Sequence, residues 1–152
     1  MRVTFFSLIA TLIVLPIQAG GVVVQPSVVK LVSLDRVHNA CGSDREFDAC
    51  TLFVAYKLEA NCFYRKIDVS VTFRPMIFLN NIQQLSHEWL HIEDIRSYAG
   101  AYVTDVEQKT FETESQCRTE AQLASDNFGA TMRAFAERSN RERHPTLRLA
   151  LR

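Results

Sequence analysis

Glycine and proline are scarce, with five and four copies in 152 residues. That scarcity excludes collagen-like and low-complexity chains, and a content of 47% hydrophobic and 22% charged residues fits a globular domain instead. Neither sign of charge prevails, since Lys plus Arg and Asp plus Glu number 17 each. A protein that grips phosphates shows a basic excess or stripe, so nucleic acid is not expected as a partner. The C-terminal arginines Arg133, Arg138, Arg141, Arg143, Arg148 and Arg152 are the local exception, but Glu137 and Glu142 interrupt them, as on a solvated, salt-bridged helix face. Internal repeats and flexible linkers are also missing. No C-x-x-C pair occurs, which argues against a zinc site built from cysteines.

A long hydrophobic run occurs in one place, Val3 to Leu15, after Met1-Arg2 and before Pro16. It is too short to span a bilayer, and Ala19 with Ile17 two residues earlier makes a cleavage site. Residues 1–19 are thus expected to be a signal peptide. Residues 20–152, about 133 in number, form one domain by the length prior, with no stable membrane span after cleavage. The product is expected to be secreted or periplasmic. All four cysteines lie in this mature part, an even count in an oxidising compartment, so two disulfides are the default. Of three connectivities, Cys41–Cys50 and Cys62–Cys117 are favoured, the first closing a polar loop and the second tying the sheet region to later helices.

The remaining pattern is strands first and helices after. Val22 to Val24 and Val28 to Val32 are rich in β-branched residues, and Thr51 to Leu58 is a further strand candidate. Ile67 to Phe73 alternates apolar and polar residues, as a strand with one buried face does; Pro75 should end it, with Met76 to Leu79 a short extended continuation. From Asn80 or Asn81, either of which can cap, the period becomes helical. Leu85, Trp89, Ile92, Ala99, Val103 and Val106 predict a helix from about 81 to 108, loosening near Gly100. Cys117, Ala121, Ala124, Phe128, Met132 and Phe135 predict a second, capped by Thr113 and ended by Pro145. The expected fold class is α+β, a small, mostly antiparallel N-terminal sheet packed on two long C-terminal helices.

His87-Glu88-Trp89-Leu90-His91 is an H-E-x-x-H pattern inside the first of these helices. Residues four apart sit one turn above each other, so His87 and His91 can converge on one ion. Glu88 is then placed to act as general base on a zinc-bound water. Both histidines fall off the Leu85-Trp89-Ile92 stripe that should face the core. Catalytic zinc usually takes three protein ligands, and a third histidine is missing at the extended-motif position, where Ser97 stands. Candidates are Glu112, Glu114, Glu120 and His144, with Glu120 favoured because it borders the inward stripe of the second helix. Asp94 and Asp126 are candidates to orient the imidazoles, and Tyr98 and Tyr102 to donate to an oxyanion.

These features resemble the zincin metallopeptidases, specifically their glutamate-liganded branch. Cys62 before the alternating strand, the extended piece before the helix, and the motif followed by Ile92 and acidic residues are similar to an uncharacterised bacterial family of predicted secreted zinc-dependent proteases. The likeness covers about residues 50 to 140 and is specific at His87, Glu88 and His91. It implies bound Zn2+, a catalytic Glu88, a peptide or protein substrate, and an edge strand, Thr51 to Leu58, that aligns the substrate. The alternatives are an exported envelope or binding protein whose metal is structural or absent, and a zinc hydrolase of another amide, such as one in cell-wall peptide.

Overall fold

A computed structural model describes residues 21–41 and 48–144. The expected signal peptide, most of the loop closed by Cys41 and Cys50, and Pro145 lie outside the described residues. Strands β1 (Val22–Val24) and β2 (Val28–Leu31) lead into helix α1 (Leu34–Cys41). A long hairpin follows, β3 (Ala49–Phe63) and β4 (Lys66–Leu79). After a 3-10 turn, Ile82–Gln84, come helices α2 (Leu85–Glu107) and α3 (Glu114–Arg143). The class is α+β, as expected, but the sheet is not mostly antiparallel. Two of its three pairings are parallel: β1 and β2 both run parallel to β4, end to end on one side of it, and β3 alone is antiparallel, on the other side.

Pro75 does not end β4. Residues two apart in a strand share an edge, and Val71 N and Phe73 O bond toward β1, so the N of Pro75 points the same way. There it meets the break between β1, which pairs only as far as Phe73, and β2, which begins opposite Met76. The N–H that proline lacks is therefore not needed. Gly21, before β1, has φ +73, and a Cβ there would stand 2.7 Å from Val69 O, so only glycine allows the approach. Helix α1 is an element the apolar periodicity does not announce: among its residues only Val37 is buried.

One face of β4 (Ile67, Val69, Val71, Phe73, Ile77 and Leu79) packs on α2 and α3, which contribute Ile92, Ile95, Ala99, Val103, Phe128 and Met132 among others. Both expected disulfides are present, Cys41–Cys50 and Cys62–Cys117. The second fastens the far end of β3 to the first turn of α3, where Thr113 caps the helix in a reciprocal box with Gln116. In β3 the register shifts between Val54 and Lys57, and Ala55 there takes φ +51. Two residues thus face one, a bulge, and Tyr56 packs edge-on to Phe128 of α3.

Candidate metal centre

Helix α2 is continuous, and its inward face contains the expected Ile92, Ala99, Val103 and Val106, with Leu85 and Trp89 packed against the core at its edge. Glu88, His91, Ile92, Ile95, Ala99, Val103 and Val106 are buried, whereas Trp89 is half-buried. Glu88 and Ile92, like His91 and Ile95, are one turn apart, so the motif continues the core-facing stripe into the first turns of the helix. Glu88 is 3% exposed and His91 5%. The expectation that the histidines leave the core face is corrected for His91: an inward stripe wider than one row admits polar residues where a cavity meets them.

His87, His91 and His144 bring one ring nitrogen each within 4.8 Å of one another. Nε2 of His144 is 3.2 Å from Nε2 of His87 and 3.3 Å from Nε2 of His91. Tetrahedral zinc with nitrogen ligands separates them by roughly 3.3 Å, so these spacings suit such an ion. The third side chain beside the motif is therefore His144 and not Glu120. Glu120 lies in the first half of α3 and lines a separate depression with Tyr102, Val106 and Lys109. Glu114 and Glu112 stand at the hairpin end, where a Glu114 carboxylate oxygen accepts from Arg65 N at 3.1 Å and the Glu112 carbonyl from the Arg65 guanidinium.

The position of His144 has a definite cause. Arg143, the last residue of α3, forms a two-pronged pair with Asp94 of α2, Nε to Oδ2 at 2.8 Å and a terminal nitrogen to Oδ1 at 2.5 Å. The end of α3 is thereby fastened beside the motif, and His144 caps it, its N–H donating to the Asn140 carbonyl. The same pair holds the Asp94 carboxyl below its usual range, first through the Arg143 hydrogen bond, so Asp94 only accepts. Ser139 donates its single hydroxyl proton to Asp94 Oδ2 at 2.8 Å, and its oxygen lies 2.8 Å from Nδ1 of His91. His91 must then carry its proton on Nδ1 and present a lone pair at Nε2. Burial, helped by the neighbouring His87, depresses His91 to about 4, which keeps it neutral; burial also lowers His144.

This donor set suits a cation better than it suits itself. One proton on His144 Nε2 can serve one of its two imidazole neighbours, and the lone pair of His91 Nε2 already faces it. A metal ion accepts from all three nitrogens, so the cluster could hold one. Beside it a cavity of about 310 Å3 is lined by Glu88, His91 and His144, by Thr51 and Phe53 of β3, and by Ala136 of α3. Glu88 Oε2 accepts from the Thr51 hydroxyl at 2.7 Å, and desolvation raises the Glu88 carboxyl above its usual range.

Of the other named candidates, Asp94 does orient an imidazole, through Ser139. Asp126 instead accepts from Gln122 within α3. Tyr98 donates to Glu142, and Tyr102 packs on Phe128 and Phe135. Ser139 and Thr51 belong to no motif in the sequence. Ser139 left a readable sign: it lies four residues after Phe135, a buried polar residue prolonging the apolar stripe of α3. Thr51 left none, because a threonine in a strand is ordinary. Both disulfides suit an oxidising compartment, and no helix among the described residues is long and apolar enough to cross a membrane. Comparison with protein-family models, with curated proteins and with solved structures finds no match for this chain.

Proposed function

We propose that this chain is an exported zinc-dependent peptidase that hydrolyses peptide bonds with Glu88 as general base. The observation that carries the reading is the convergence of three imidazoles, from His87, His91 and His144, beside a cavity lined by His91, His144 and the buried Glu88. Zinc held by those nitrogens would supply Lewis acidity toward water and the scissile carbonyl. Glu88 takes the proton of the attacking water on its carboxylate and passes it to the leaving nitrogen as the C–N bond breaks. Its raised pKa suits both halves of that transfer. The substrate approaches along β3, which among the described residues pairs with β4 alone and so keeps one edge for an extended peptide. Phe53 and Ala136 line the cavity and favour an apolar side chain next to the cleaved bond.

The test is cleavage of a quenched fluorescent peptide library by zinc-loaded protein. Wild type should cleave, and Glu88→Gln should keep its zinc while losing turnover by about 100-fold or more. Undiminished cleavage by Glu88→Gln would remove Glu88 from the chemistry, and a zinc-loaded wild type without cleavage would overturn the peptidase reading.

A further inference from the structure

A buried carboxylate needs a partner, and a general base needs a fixed direction. Glu88 sits on α2 with three rotatable side-chain bonds, almost wholly out of water. Among the described residues, the Thr51 hydroxyl is the one hydrogen-bond donor to its carboxylate, at 2.7 Å from Oε2. The same hydroxyl lies 3.3 Å from the Glu88 backbone carbonyl, and its single proton goes to the closer, charged acceptor. Thr51 is itself held from two sides. It pairs with Ile77 in β4, and its neighbour Cys50 is tied to Cys41.

We propose that Thr51 is the positioning residue for Glu88, holding Oε2 against β3 so that Oε1 serves the water and the leaving nitrogen. The inference rests on the peptidase reading and adds to it a coupling between two elements. Thr51 belongs to the strand whose edge the substrate would follow, so the base is aligned to the substrate's strand and not only to its own helix. A reacting atom displaced by about 1 Å can cost two orders of magnitude in rate, so loss of the tether acts on the chemical step. Ground-state binding along β3 does not involve the hydroxyl and is left as it is.

Zinc-loaded wild type, Thr51→Val and Thr51→Ser are to be compared by kcat, KM and zinc content on one peptide. Thr51→Val, of the same shape without the donor, should lower kcat between about 10- and 100-fold with KM and zinc content unchanged. Thr51→Ser, which keeps the donor, should restore most of it. If Thr51→Val does not fold, Thr51→Ala is read in its place against the same expectation. A role in folding alone would lower the melting temperature and leave kcat intact in the folded variant, and that result overturns the proposal. So does a Thr51→Ser as impaired as Thr51→Val. Wild type without turnover removes the peptidase reading and this role together, whereas active wild type beside an unimpaired Thr51→Val removes the role alone.

Discussion

The hydroxyl of Ser139 has one proton, and its direction decides what His91 can do. Given to Asp94, it leaves the Ser139 oxygen to accept from His91 Nδ1, and the Nε2 that faces His144 carries a lone pair. Partners of this kind typically affect metal affinity by 10- to 100-fold, so Ser139→Ala should weaken zinc binding by roughly that factor in a competition titration with a chromophoric chelator. Unchanged affinity would show that His91 needs no outside help to choose its tautomer. His87, Glu88 and His91 are legible as a set because helical spacing alone brings them together. Ser139 shows in the sequence as a polar residue on the apolar stripe of α3, but its role does not, since that depends on Asp94, 45 residues away.

Among the elements, α2 carries most of the site, and the sequence shows its extent and its apolar core stripe but not the burial of Glu88 and His91 beside that stripe. Apolar residues mark the core face from Ile92 onward, and Leu85 and Trp89 pack at its edge; in the first turns the fully buried positions are the polar Glu88 and His91, which an apolar stripe cannot announce. The loosening expected at Gly100 does not occur, because the helix runs through it unbroken. A Cβ on Gly100 would meet nothing within 4 Å. Gly100→Ala should therefore stabilise the protein by about 0.5 to 1 kcal/mol in urea unfolding, the usual difference between glycine and alanine in a helix. A loss of stability would mean that the helix uses glycine there. In β4, Pro75 suggests a terminus because proline removes a ladder bond, a rule that fails where the strand beside it is broken at that point.

At the scale of the whole molecule, the site exists because the last turn of α3 returns to the first turns of α2, clamped by Arg143 and Asp94. His91 and His144 are 53 residues apart, and no periodicity within one helix shows which end of its neighbour lies alongside. Glu120 borders the inward stripe of α3 but is exposed, and nothing in that stripe shows how far along α3 the motif lies. The disulfides were easier, because four cysteines leave few choices. Burial of the cluster also sets a pH dependence on the metal-free protein. His91 titrates near 4 when folded and near 6.5 when unfolded, so below 6.5 the unfolded chain binds the extra proton and stability falls until about pH 4. The raised Glu88 acts in the opposite sense, losing stability as pH rises. Subtracting the profile of His91→Asn from that of wild type isolates the histidine, whose full loss is about 3 kcal/mol; a flat difference would contradict its burial as a neutral ring. The most direct measurement is zinc content by atomic emission on purified wild type, His144→Ala and Glu120→Ala, each dialysed against the same zinc buffer. Three converging imidazoles predict one zinc per chain in wild type and in Glu120→Ala, and its loss in His144→Ala. A wild type without zinc, or a His144→Ala that keeps it while Glu120→Ala does not, would contradict the account.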